Sequence, residues 1–431
     1  MSEGGASGTH YAKEMFSPFS WVDAVLFDPL PIKVRPFDLL LLIIALTSRS
    51  RSQRVRPMRS TLLVAAATTV LWLVIGISRG GDVQSASWQV YLMLASIIAA
   101  FAIGGVYHKA SHYRAIVKAI VAAGLYRGFM CLIYYVQFIK DSGVEPPPVF
   151  TSHDDSVLWV VTIMILTVHF LYSRKWTAWA GALAGVPLIV IAIQLNNRRL
   201  AWVSLVGSLV TLYFLLPPSR PMRVLKRIGM VLVPLIAIYV AVGWGRTEAI
   251  FKPVAAFSST SESSDSSTKS RNAENLSLIY TASFRPMTGT GWGHPFVSLT
   301  NKYSVAHIGP LWRFIPHNSI LGLFAFIGLV GMIGYWMMFP VAVFLHARTA
   351  QMSSHPMLRS LGIVCVAAIV ICLNQIFGDM GIFSRTTMYM LALALAPALC
   401  VPIEAGAWPA ANAAGPHVMP APPADVAPGA A

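Results

Sequence analysis

QLNNRRLAWVSLV, Gln194–Val206, sets two adjacent arginines, Arg198 and Arg199, between two apolar stretches. Those stretches, 176–195 and 199–216, each approach the roughly 20 residues that a helix needs to cross a bilayer. Working outward, similar runs recur at 32–47, 60–78, 87–106, 114–138, 156–172, 227–244, 317–345, 358–377 and 384–402. Only 11% of the 431 residues are charged, and the mean hydropathy is +0.63. A soluble protein of this size could not hide so much apolar surface. The runs are also too long and too continuous for the alternating strands of a membrane barrel. The expected fold class is all-α, a polytopic transmembrane helix bundle of about 11–12 spans with one long loop at 245–316. The first run is short enough to be re-entrant, and residues 15–30 could lie in the interface or form a twelfth crossing.

Composition divides the chain further. Residues 1–31 form an N-terminal segment of interfacial character, 32–403 a transmembrane domain, and 404–431 an Ala/Pro-rich tail expected to be disordered. Residues 1–36 lack a basic start followed by an apolar core, so no cleavable signal peptide is expected. SSTSESSDSSTKS, Ser258–Ser270, is expected to be a flexible stretch inside the long loop. Cys131, Cys365, Cys372 and Cys400 all fall in apolar runs and are read as small core residues, with no disulfide frame and no zinc spacing.

A formal charge of +15 could suggest nucleic acid, but its placement points to membrane topology instead. Loops 49–59, 107–114, 173–175, 217–227 and 346–359 hold 15 Lys and Arg, against 5 in loops 79–86, 139–155, 195–199 and 378–385. The positive-inside rule makes the first set cytoplasmic and puts the long loop outside. Arg198 and Arg199 then sit at the outer ends of their spans, against the local charge rule. Simple snorkelling to lipid phosphate would account for them.

Other outward features share that side. KSRNAENLSLIY carries Arg271, SFRPMTGTGWGHPF carries Arg285 and His294, and IPHNSILGLFAFIGLVG carries His317 at the start of a span. In this order and sidedness the chain resembles the O-antigen ligase and O-antigen polymerase superfamily of bacterial membrane glycosyltransferases, over roughly residues 155–345. The matching pieces are the arginine turn Arg199-Leu200-Ala201-Trp202, a second arginine in a long outer loop, and the glycine stretch RPMTGTGWG, Arg285–Gly293. The pair His317-Asn318, leading a helix that carries Gly328 and Gly331, completes them.

The resemblance implies transfer of a glycan from a polyprenyl diphosphate carrier to the hydroxyl of a lipid or saccharide acceptor. The implied place is the periplasmic face of the bacterial inner membrane, with membrane lipids as the surroundings and no nucleic acid partner. Such chemistry needs neutralisation of the diphosphate and removal of the acceptor's proton. The planar fork of arginine binds phosphate oxygens bidentately, and histidine titrates near neutrality. Arg199, Arg271 and His317 are therefore expected to be catalytic, the arginines at the diphosphate and His317 as base. Arg198, Asn196, Arg285, Asn318 and Arg127 are expected to bind diphosphate or glycan. No cofactor and no metal are expected: there is no Asp-x-Asp, and His153-Asp154-Asp155 is better explained as a helix cap than as a metal cluster.

Several residues keep two readings. Arg127, mid-span, either lines a substrate cavity or pairs with a structural partner such as a backbone carbonyl. Asp379 either neutralises one of the arginines or caps a helix. His169 is read as packing and His294 as a loop residue. Gly289, Gly291 and Gly293 permit a tight turn or a close approach to phosphate. At the level of function, ligase and polymerase of O-antigen, capsule or exopolysaccharide share these residues, with a lean to the ligase acting on lipid A–core. An anion transporter is the alternative of a different class, and it would favour broken helices and repeat symmetry. A structural membrane subunit is a further one.

Overall fold

The computed structural model describes residues 36–47, 54–139, 151–196, 198–246, 248–251, 254, 266–300 and 311–410. These residues are helical or irregular, with no strand among them. The helices are α1 (Pro36–Thr47), α2 (Arg56–Ser78), α3 (Val83–Val106), α4 (Tyr113–Tyr134), α5 (Asp155–Tyr172) and α6 (Trp176–Leu195). They continue with α7 (Arg199–Leu215), α8 (Arg220–Gly243), α9 (Ser266–Phe284), α10 (Ser319–Trp336), α11 (Met338–Met352), α12 (Pro356–Gly378) and α13 (Arg385–Leu395). Among the described residues, eight segments are long and apolar enough to cross a membrane, α10 and α11 together counting as one.

Three expected spans are shorter than their apolar runs. The twelve residues of α1 extend about 18 Å at 1.5 Å per residue, well short of a bilayer core. Helix α7 has 17 residues, and α13 ends at Leu395 in a 3-10 turn, Ala396–Leu399. Residues 1–35, including the expected interfacial segment, lie outside the described residues. At the other end, residues 405–410 are described, and Ala407 is buried. The rest of the expected tail, 411–431, lies outside the described residues.

Local chemistry sets many of the boundaries. Asp82 caps α3 by accepting from the Ser85 amide at 2.7 Å, and Ser384 caps α13 through the Thr387 amide. Proline stands in the first turn of α2, α8 and α12, where its missing N–H costs nothing. Hydroxyls inside the bundle return to their own helix: Thr69, Thr162 and Thr349 each donate to the carbonyl four residues back.

Helix α12 is central, packing on α11, α7, α5 and α13. Helices α2 and α10 pair, as do α1 with α3 and α4 with α5. Helix α8 stands apart: its only buried residues are Pro221 and Gly243, and Val231, Val233, Leu235, Ile236 and Ile238 project outward. In a bilayer such a face is covered by lipid tails.

The described parts of the long segment 245–316 are more structured than a loop. Ser266–Ser270, the end of the serine-rich stretch expected to be flexible, begins α9; 258–265 lie outside the described residues. The turn after α9 packs into a break in α10. Gly328, at φ 63° and ψ −174°, interrupts that helix. Two carbonyls freed by the break accept from the turn: Thr290 N–H donates to Ala325 at 3.1 Å and Gly291 N–H to Phe326 at 2.8 Å. In return, Leu329 N–H donates to Pro286 at 2.9 Å and Val330 N–H to Met287 at 3.1 Å. Broken helix and glycine turn thus satisfy each other's backbone, as an apolar setting requires. Trp72 from α2 donates to Thr288 at 2.7 Å, and the Asp82 amide to Gly293 at 2.9 Å, so the turn is bound at the end of α2 and the start of α3.

Candidate active site

The same end of the bundle gathers the start of α5, the α6–α7 turn, the first turns of α9, the start of α10 and the end of α12. The α6–α7 turn is set by Asn196, which is fully buried. Its amide oxygen accepts from Thr151 N–H at 3.0 Å and its nitrogen donates to the Ser152 carbonyl at 3.0 Å. With both ends of the amide engaged, Asn196 positions the chain.

Arg198 precedes α7 and forms an ion pair with Asp379, the residue after α12. His153 donates from Nδ1 to the same carboxylate oxygen at 2.8 Å, and Gln375 reaches it at 3.4 Å. Burial by itself would raise the Asp379 carboxyl; the His153 hydrogen bond and the positive charges of Arg198 and Arg271 overcome it and hold the group at about 2. Burial lowers the Arg198 guanidinium, which Asp379 counteracts and Arg271 reinforces. Of the two readings for Asp379, the ion pair is the one realised. Arg271, in the second turn of α9, is near enough for its charge to act on both partners. Arg199, one residue past Arg198, opens α7.

His317 stands just before α10. Glu274, three residues after Arg271 on α9, holds it twice: one carboxylate oxygen accepts from the His317 backbone N–H at 2.6 Å, the other from ring Nδ1 at 2.9 Å. A carboxylate can only accept, so this contact places a proton on Nδ1 and leaves Nε2 as the basic nitrogen. The His317 carbonyl accepts from Met380 N–H at 2.8 Å, next to Asp379, which ties the histidine to the Arg198–Asp379 pair. Asn318 caps α10 through the Leu321 amide at 3.1 Å and is buried.

Other expected residues fall elsewhere. Arg127 makes a two-pronged ion pair with Asp155 at 3.0 and 2.8 Å, and Thr151 donates to the same carboxylate at 2.6 Å. It takes the structural-partner reading, with a carboxylate in place of a carbonyl. The helix-cap reading of His153-Asp154-Asp155 is overturned. Asp154 makes no side-chain cap bond, His153 serves Asp379, and Asp155 serves Arg127. Burial raises the Asp154 carboxyl, a hydrogen bond with Ser384 working against it. Arg285 follows the last residue of α9, about 21 Å along the axis from Arg271. It is exposed and does not join the group. His294 bonds the Gly76 carbonyl at 3.1 Å, a loop role.

Sequence reasoning missed Glu274, although its spacing of three from Arg271 puts both on one helical face once the segment is known to be a helix. Arg198, expected as an auxiliary to Arg199, is the arginine that forms the ion pair with Asp379.

No curated protein matches the chain. Residues 184–336, which supply Arg198, Arg199, Arg271, Glu274 and His317, match the family model described as O-antigen ligase.

Proposed function

We propose that this protein transfers a glycan from a polyprenyl diphosphate carrier to an acceptor hydroxyl, as a ligase acting at the periplasmic face of the inner membrane. The observation that carries the reading is the convergence of Arg198, Arg271 and the Glu274–His317 pair at one end of the bundle. The family match supports the class of reaction.

In this scheme the acceptor oxygen attacks the anomeric carbon of the carrier-linked sugar. The bond from that carbon to the diphosphate oxygen breaks, and the polyprenyl diphosphate leaves with the bonding electrons. The acceptor's proton passes to His317 Nε2, while Glu274 holds the ring through Nδ1 and steadies the imidazolium that forms. Arg199, Arg271 and Arg198 offset the charge gathering on the diphosphate, from positions already fixed before the substrate arrives. A diphosphate competes with Asp379 for Arg198, so the ion pair keeps the buried guanidinium partnered until the donor binds. The residues need no metal for this scheme, since arginine supplies the positive charge.

A deletion strain complemented with wild type or with His317→Ala tests the reading on a surface-glycan gel. A ligase leaves long chains on the lipid carrier and none on lipid A–core in the deletion and the His317→Ala strains. Retention of a single repeat unit, or loss of a free polysaccharide, indicates a polymerase. Unchanged glycans in both strains overturn the glycosyltransferase reading.

A further inference from the structure

Three donors converge on one oxygen of Asp379. Arg198, His153 Nδ1 at 2.8 Å and Gln375 at 3.4 Å all meet Oδ2. Their access to solvent differs: the carboxylate is 7% exposed, Arg198 14% and His153 48%. The carboxylate is also fixed in place. The Asp379 amide donates to the Gln375 carbonyl at 2.9 Å, and the next residue, Met380, is bonded to the His317 carbonyl. Met380, at φ 52°, is the one non-glycine residue with positive φ among the described residues. Gly381 packs so closely that an added Cβ would lie 2.5 Å from the Ile376 nitrogen. A carboxylate on so constrained a corner does not follow a departing guanidinium.

A diphosphate that takes Arg198 therefore leaves Asp379 charged, buried and short of a partner, which is costly. Arg271 acts on Asp379 only through its field and is itself assigned to the diphosphate. Gln375 brings no charge. His153 already touches the oxygen, is open to solvent, and is of the residue type that gains charge near neutral pH. The charged groups around its ring are Asp379, Arg198, Arg271 and Asp154; Asp155 is matched by Arg127. Asp154, whose carboxyl burial raises, is the rival proton acceptor, and it is bonded to Ser384.

We propose that His153 is a positioning residue for the donor: as the diphosphate draws Arg198 from Asp379, a proton from solvent adds to His153 Nε2, and the imidazolium takes over from the guanidinium at the carboxylate. The proposal rests on the reading in which Arg198 receives a diphosphate. When the diphosphate leaves, Arg198 returns to Asp379 and the proton returns to solvent. Donor binding is thereby linked to proton uptake, and donor affinity falls as pH rises.

The test uses the purified full chain in detergent and farnesyl diphosphate, a prenyl diphosphate without sugar. Calorimetry in buffers of different ionisation heat counts the protons taken up. Affinity is followed from pH 7 to pH 9, where the probe's charge is nearly constant because its last ionisation lies near 6. The wild type is expected to take up more protons than His153→Gln and to lose roughly tenfold in affinity over this range. His153→Gln, which keeps a donor but gains no charge, should bind at least about tenfold more weakly at pH 7 and show a flat profile. His153→Arg, a permanent cation, should restore the affinity of pH 7 and hold it at pH 9. The same slope in His153→Gln as in the wild type, as uptake by Asp154 or Asp379 would give, overturns the proposal and leaves the donor reading intact. A flat wild-type profile does so too. Absence of binding by the wild type overturns both. A slope that His153→Gln removes, in a protein whose deletion leaves surface glycans unchanged, upholds the proton-linked site and overturns glycosyl transfer.

Discussion

Glu274 grips His317 at two points, the backbone N–H and ring Nδ1, and so fixes both the position of the residue and the face its imidazole presents. Glu274→Gln keeps an acceptor oxygen but loses the charge that steadies the imidazolium. The expected loss is roughly 10²-fold in kcat, within the usual range for a positioned proton-transfer group. His317→Ala is expected to lose as much or more, and the double variant no more than His317→Ala alone, because the two residues act as one unit. Single-turnover transfer with saturating donor checks this; additive losses would show that Glu274 acts elsewhere.

Asp379 and Arg198 form a buried pair. Removing one partner leaves the other charge unpaired, at a cost of about 3–5 kcal/mol for pairs of this kind. Asp379→Ala should therefore lower the melting temperature of the purified protein clearly. Arg198→Met with Asp379→Leu together should recover part of the loss in stability while transfer stays impaired. A melting temperature unaltered by Asp379→Ala would show that the pair is not holding the helix ends together.

The same carboxylate makes stability depend on acidity. Its folded value is about 2, against an ordinary value of 3.8. A depressed carboxylate stabilises fully above its unfolded value, and the gain fades as pH falls from near 4 through 2. At about 1.4 kcal/mol per unit the contribution is on the order of 2 kcal/mol. Thermal scans in detergent from pH 6 to pH 2 should show a loss at the acid end that Asp379→Asn reduces by about that amount.

Gly328 adopts φ 63° and ψ −174°, and an added Cβ would lie 2.5 Å from the Gly289 nitrogen. Only glycine takes that conformation readily, and strain of this type costs about 1–3 kcal/mol before the clash is counted. Gly328→Ala should reduce the yield of monodisperse protein sharply on fluorescence-detected size exclusion. Gly229→Ala, in the exposed helix α8 with open space around it, should leave the yield unchanged or improve it by up to about 1 kcal/mol of stability.

Much of the helical frame was legible because apolar run length is a strong signal in a membrane protein. The bounds of α2, α3 and α12 follow their runs closely. Helix α9 escaped notice because its first residues are serines and its composition is polar, so no apolar period marks it. The site was legible in part. Arg198, Arg271 and His317 stand out as charged or titratable groups on one side of the chain. Of their carboxylate partners, Asp379 stood out as a group able to neutralise one of the arginines, but Glu274 did not, since it lies in a segment expected to be loop. Asp379 and His153 lie 226 residues apart in the sequence and meet only in three dimensions. Arg285 and Arg271 read along the chain as two arginines of one outer segment, yet the length of α9 separates them.

The exchange of backbone hydrogen bonds between the broken α10 and the glycine turn has a consequence for biogenesis. The turn is synthesised before α10, and neither satisfies its amides without the other. Packing of α10 is therefore complete only when the turn made before it returns to meet it. Until then the amides around Gly328 must remain wet or close temporarily into a straight helix. The turn that meets this break directly follows α9, the helix that carries Glu274, and the broken helix directly follows His317, so the backbone exchange and the Glu274–His317 contact join the same two segments.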